Sequence, residues 1–428
     1  MNLQISRGRV IDPKNGIDRV TDLFIGGGKI VGIDNPPSGF AVDRKLDVED
    51  QIIIPSLVDM AARLREPGQE HKATIASETR AAAAAGITSL CCPPDTNPVI
   101  DSPAEVELIQ QRAYAAGFCR VYIIGALTAG LNGQALSEMA ALKRAGCVGV
   151  SNALRPLTNS LVLRRAMEYA ASQTLTLFLY SFDHALANHG CAHEGAVSTR
   201  LGLPGIPSAA ETAAMGQLIA LVEQTGVRAH FCRLSTARAV NMVARARHDG
   251  LPISADVCAH QLFLTESDIG DFNSLCHTLP PLRTRCDLEG LRQGIISGSL
   301  DAICSDHQPH DIDAKQAPFP ATEPGISALE TLLALTLRLV EEEVLTLPEA
   351  IARVTCDPAA ILGIYAGTLA IGTHADICIY QPDERWTLTP ESLLSHGKNT
   401  PFLGWSFTGR ITHTLVGGRI VYQANLAQ

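Results

Sequence analysis

Two rhythms of apolar and polar positions divide the chain. Through its middle, short apolar runs alternate with polar loops and with longer stretches at helical spacing. Eight of these runs read as strands: IIIPSLVD, ITSLC, RVYIIGAL, CVGVS, LTLFLY, RAHFCRL, PISADV and DAICSD. Helical patterns such as KATIASETRAAAAAG, PAEVELIQQRAYAAG and ETAAMGQLIALVEQTG fall between them. Parallel strands buried on both faces read as continuous apolar runs, so eight such strand-plus-helix units predict an α/β fold of the (β/α)8 TIM barrel type. A doubly wound open sheet would need a glycine-rich phosphate loop after its first strand, and none is there.

The two ends follow a different pattern. LQISRGRV, TDLFIGGG and KIVGID at the start, and HADICIYQ, GRITHTLVGG and RIVYQ at the finish, are short β-rich segments punctuated by glycine. Residues 1–54 and 365–428 are therefore expected to pair into a small β-sandwich domain, leaving 55–364 for the barrel.

The composition narrows the partners. The chain has 428 residues, 46% hydrophobic and 18% charged, with a formal net charge of −10. A surface this acidic repels nucleic acid and anionic lipid, so neither is expected as a partner. The N-terminus MNLQISRGRVID has no apolar core of a signal peptide. No apolar run approaches the ~20 residues that span a bilayer, and a cytoplasmic location is expected. The twelve cysteines are scattered through apolar segments and read as packing groups rather than metal or redox sites.

In a TIM barrel the chemistry sits where the strands end. Those ends, with the loops after them, carry long and specific motifs: LREPGQEHKATIASETRAAAAAGITS, PPDTNPVID, EGAVSTRLGLPGIPSAAE, LSTARAV, PPLR, SDHQPH and EPGISALET. Together they resemble the dihydroorotases of the amidohydrolase superfamily over nearly the whole chain. The resemblance implies a metal-bearing barrel flanked by a β-sandwich. In active members it also implies interconversion of carbamoyl aspartate and dihydroorotate in pyrimidine synthesis.

Opening a cyclic amide at neutral pH calls for a hydroxide, which a metal ion supplies by acidifying bound water. Two histidines spaced His-x-His at a strand end point to one face and reach one ion. Here those positions are Ala61 and Arg63. The family's acidic run after the fourth strand is matched by Ser151, Asn152 and Ala153, with Ala153 at the ligand position. The histidine after the fifth strand is matched by Tyr180, and that of the sixth by Arg233, with His230 facing away. A methyl group cannot ligate and a guanidinium repels a cation. No zinc cofactor is expected.

What remains of the family site is Arg65 and Asn97 at substrate positions, and Asp306, the family's general base, with His310 four residues on. These are expected to be vestigial. Asp95 stands where relatives carry an asparagine and would repel an anionic substrate. A buried Asp306 without a metal needs a cation, so Arg63 or Arg233 is expected to pair with it. His184, His189 and His193 are expected in a solvated loop. The segment Pro309 to Pro324, with four prolines and an exposed Phe319, is a candidate contact surface.

A kept fold with a dismantled site resembles the non-catalytic dihydroorotase-like chains that partner the catalytic chain of aspartate carbamoyltransferase in homo- and hetero-oligomers. The expected role is structural. Two rivals stay open: an active cyclic-amide hydrolase with an atypical or absent metal site, and a regulator that senses anions at the arginine-lined mouth.

Overall fold

The structure, a computed structural model, describes residues 2–424. All eight apolar runs become strands of one parallel sheet that follows chain order. They are Leu57–Asp59, Ile87–Cys92, Arg120–Ala126, Cys147–Ser151, Thr176–Leu179, Ala229–Phe231, Ile253–Cys258 and Ala302–Cys304. The sheet closes at its mouth. The Arg63 N–H donates to the His307 carbonyl at 2.9 Å and the His307 N–H to the Ala61 carbonyl at 3.0 Å, which zips the first strand's extension to the eighth's. Below this the buried Asp59 carboxylate accepts from the Ser305 N–H and hydroxyl. Burial nevertheless pushes the Asp59 carboxyl up to about 7.

Local signals set the helices around this sheet. The helix Ile75–Ala84 opens on a capping box in which the Thr74 hydroxyl and the Ser77 N–H meet at 3.1 Å. The next helix, Pro103–Ala116, has Ser102 as N-cap, proline in its first turn and left-handed Gly117 at its end. Inside the barrel Val58, Cys91, Ile124, Phe178, Cys258 and Cys304 fill one apolar cluster, and a larger cluster lies between strands and helices. Eleven of the twelve cysteines are buried or half-buried, and Cys286 is exposed.

The terminal segments form one eight-stranded sheet in which strands from the start and finish of the chain are neighbours. The run IIIPSLVD is shared between the two layers. Ile52–Pro55 pairs antiparallel with Ile377–Thr387 in the terminal sheet, and after Ser56 the chain enters the barrel. Leu3, Ile5, Leu23, Ile53, Ile377 and Leu415 give this sheet its own core. At the seam Gly86 has φ +74°, and a Cβ there would meet the Cys378 Sγ at 2.5 Å, so close packing of barrel on sheet requires glycine. Among the described residues, no helix is long and apolar enough to cross a membrane.

Candidate functional site

Four non-glycine residues at the mouth hold left-handed backbone: Arg65 at φ 62°, Ala153 at 48°, Arg233 at 56° and Asp306 at 47°. Such conformations cost roughly 1–3 kcal/mol each and persist where surrounding structure imposes them, most often at functional sites.

Charged and polar side chains gather around Asp306. Its Oδ1 accepts from Arg63 Nη1 at 3.0 Å and from Arg233 Nη1 at 2.6 Å, and its Oδ2 accepts from Gln308 Nε2 at 2.9 Å. All three charged groups are buried. Burial works against the carboxylate, but Arg233 and Arg63 outweigh it and hold Asp306 below the usual carboxylate range. Arg63 also donates through Nε to Asp95 at 2.9 Å. Asp95 thus has a structural partner, which its reading as a substrate-repelling charge did not anticipate. Arg233 packs its guanidinium 4.9 Å from the Tyr180 ring centroid.

These groups do not suit a metal ion. Ala61 and Ala153 offer methyl groups, and Arg63 and Arg233 bring positive charge. Tyr180 would have to ionise to bind, whereas burial pushes its phenol up. Beside Ala153, the Asn152 amide is spent on Thr128, Leu131 and Arg155. Among the described residues one trio of donor groups does lie close together, His230, Cys232 and Asp256, with atoms within 4.8 Å of one another. Its imidazole is engaged at both nitrogens, with Ser254 at 2.8 Å and Asp256 at 3.0 Å, and the other Asp256 oxygen accepts the Arg233 N–H. The trio braces the Arg233 backbone.

Arg65 and His310 face each other. Arg65 donates through Nε to the Pro309 carbonyl at 2.9 Å, and its Nη2 lies 3.1 Å from His310 Nε2. Burial, with Arg65 and Lys72 alongside, lowers the His310 imidazole to about 2, so it stays neutral. Burial and then Arg63 lower Arg65 itself to about 10. Asn97 sits apart from this cluster in its bonding: it is exposed, and its N–H donates to the Pro67 carbonyl. The cavity lined by Arg63, Arg65 and Asp95 measures ≈ 10 Å³, room for about one water.

Two expectations about exposure are corrected. Phe319 is 2% exposed, its ring 4.9 Å from that of His277, so it anchors the Pro309–Pro324 segment instead of projecting from it. The large apolar side chain this segment does expose is Ile312. His193 is buried as well, bonded at 3.0 Å to the buried Arg283, so it belongs to the scaffold and not to a solvated loop. His184 opens a short helix, His184–Ala187, and His189 is exposed.

One network escaped the sequence reading. His307 Nε2 lies 2.7 Å from Glu78 Oε2, both fully buried. The same carboxylate accepts from the Ser395 hydroxyl at 2.6 Å and the His396 N–H at 3.0 Å. The Ala328 N–H donates to His307 Nδ1 at 3.0 Å. Burial opposes the carboxylate, but these bonds outweigh it and pull Glu78 down to about 2. Both residues lie inside the quoted motifs ASETRAAAAAG and SDHQPH. A glutamate on an alanine-rich helix face was the available signal.

A (β/α)8 barrel whose strand ends converge on one mouth, joined to a sheet made from both termini, is the amidohydrolase architecture. An L-hydantoinase (dihydropyrimidinase) from Arthrobacter aurescens shares it with TM-score 0.88 at 20% identity, over 98% of this chain and 96% of that one. The family model described as dihydro-orotase-like matches residues 50–239, and that described as amidohydrolase family matches 326–422. The dihydroorotase-like proteins of Pseudomonas putida and Pseudomonas aeruginosa are 48% and 49% identical, each over 99% of this chain and 99% and 100% of theirs. A dihydroorotase of Anaeromyxobacter sp. (strain K) is 43% identical over 99% of both chains. The chain belongs to the dihydroorotase-like family of amidohydrolases.

Proposed function

We propose that this protein is a catalytically silent dihydroorotase homologue that binds no zinc. We further propose that it serves as an assembly subunit for the catalytic chain of aspartate carbamoyltransferase in pyrimidine biosynthesis. The observation that carries the first part is the double salt bridge on Asp306. Two guanidiniums neutralise the carboxylate that a hydrolase would keep free as a base beside its metal. The cavity beside Arg63, Arg65 and Asp95 holds about one water and is too small for dihydroorotate.

The assembly role is supported by the resemblance to non-catalytic partners of the transferase and by the full-length likeness to proteins named dihydroorotase-like. A second reading, an active dihydroorotase with an atypical site, is favoured by the relatives named dihydroorotase. Size-exclusion chromatography separates these readings, with this chain and the transferase chain run mixed and apart and transferase activity assayed in each fraction. Co-elution with raised transferase activity is expected. Separate elution at micromolar concentration, with the isolated transferase fully active, would end the assembly reading. The variant Ile312→Asp tests the Pro309–Pro324 surface, since it alters an exposed side chain and leaves Phe319 in place. Loss of co-elution would put the interface there, and unchanged co-elution would place it elsewhere.

A further inference from the structure

The cavities at the mouth are small, ≈ 10 Å³ beside Arg63 and ≈ 70 Å³ beside Tyr180, whereas a groove of ≈ 470 Å³ lies where the terminal sheet meets the barrel. Pockets that bury small molecules fall in the range of about 300–1,000 Å³ and combine aromatic walls with a few polar groups. Here Phe118, Trp386 and Tyr422 contribute rings, and the charged groups are Arg80, Arg410 and Glu330. Trp386 is fixed by an Nε1–H bond to the Gly409 carbonyl at 3.1 Å and by the Phe407 ring at 5.3 Å.

The charges favour an anion. Arg80 is exposed, on the helix Ile75–Ala84, and among the described residues no carboxylate pairs with it. Arg410 is neutralised by Glu384 at 2.9 Å. The Glu330 oxygens are taken by the Leu394 and Ser395 N–H groups at 2.7 and 3.0 Å, and burial pushes this carboxyl up to about 7. It therefore opposes an anion less than a free carboxylate would. The groove thus presents one unmatched cation on a protein whose net charge is −10. Another sizeable groove, around Phe263, has its arginines already matched, Arg285 by Glu289 and Arg292 by Glu342.

We propose that this groove is a binding site for a planar aromatic acid, its ring held by Trp386 and Tyr422 and its carboxylate, sulfonate or phosphate held by Arg80. Aromatic side chains supply contact area for a flat ring, and a guanidinium gives charge-assisted bonds in a fixed fork. The inference does not use the barrel mouth and stands whether or not the mouth is catalytic.

The chain has two tryptophans, and Trp386 lines the groove while Trp405 stacks on Phe407 beside it. Their emission reports an occupant directly. The probes are 1-anilinonaphthalene-8-sulfonate and its uncharged counterpart N-phenyl-1-naphthylamine, titrated into the native full chain with energy transfer from tryptophan as readout. The sulfonate is expected to saturate at one per chain and to bind more tightly than the neutral probe. Arg80→Ala should weaken the sulfonate about tenfold, the loss of one charge-assisted contact, and leave the neutral probe unchanged. Ala84→Phe fills the groove and should block both probes, with circular dichroism and the melting temperature confirming the fold. Arg285→Ala, in the matched groove, should change neither. Absence of saturable binding, equal affinity for both probes, or equal effects of Arg80→Ala and Arg285→Ala would overturn the proposal.

Discussion

Asp306 and His307 are consecutive residues at the end of the eighth barrel strand, and they hold two different kinds of polar cluster. His307 faces the scaffold, where both ring nitrogens and the Glu78 carboxylate are bonded. Asp306 faces the mouth, where Arg63 and Arg233 bond it while, among the described residues, no protein group bonds Arg63 Nη2 or Arg233 Nε. The first cluster joins helix, strand and terminal loop, as a fold requires. The second holds one buried carboxylate between two guanidiniums. Protein groups thus balance the charge of the Asp306 cluster without taking up every donor, and the small cavity beside Arg63 leaves room for about one water.

The largest effect is expected from breaking the satisfied cluster. Glu78→Ala strands the His307 ring, the Ser395 hydroxyl and the His396 N–H, and removing one partner of a buried pair typically costs ~3–5 kcal/mol. The urea midpoint should fall accordingly, and a loss under about 1 kcal/mol would refute the scaffold role. Asp306→Ala should cost less, about 2–3 kcal/mol, because Arg63 keeps Asp95 and the mouth can admit water to the freed guanidiniums. If Asp306→Ala proves the more damaging of the two, the contrast between the clusters fails.

Acid sharpens the same contrast. Glu78 is lowered from 4.5 to about 2, so its stabilisation is complete above pH 4.5 and is lost as pH falls towards 2. His310 is lowered from 6.5 to about 2, so it favours the fold fully above pH 6.5 and progressively less as pH falls below that value. Wild-type stability, followed by urea unfolding from pH 7 to 3, should therefore decline in two stages. His310→Gln, which is neutral throughout, should flatten the stage that begins near pH 6.5, and an unchanged profile would contradict the neutral imidazole.

The smallest effect is expected at Asn97. Its side chain is exposed, so Asn97→Ala should lie within about 0.5 kcal/mol of wild type in the same assay. A larger loss would mean that this family substrate position still has structural work.

Periodicity located the eight barrel strands because most of their residues are buried on both faces, and the same cause makes IIIPSLVD read as one strand although Ser56 divides it between two sheets. The guanidinium on Asp306 was legible as a charge-balance requirement, although that both arginines reach it was not. Phe319 and His193 were misplaced for one reason. Composition marks a proline-rich or polar segment as a loop, but only tertiary contacts with His277 and Arg283 decide which of its side chains are covered. The Glu78–His307 pair links residues 229 positions apart, and nothing local in either segment announces the other.

The central proposal, that the arginine-bridged mouth does not catalyse the dihydroorotase reaction, is tested most directly by turnover. Purified chain supplied with zinc would be assayed for interconversion of carbamoyl aspartate and dihydroorotate in both directions. The account predicts a rate indistinguishable from buffer containing zinc alone. A saturable rate that disappears on chelation and returns with metal would contradict it.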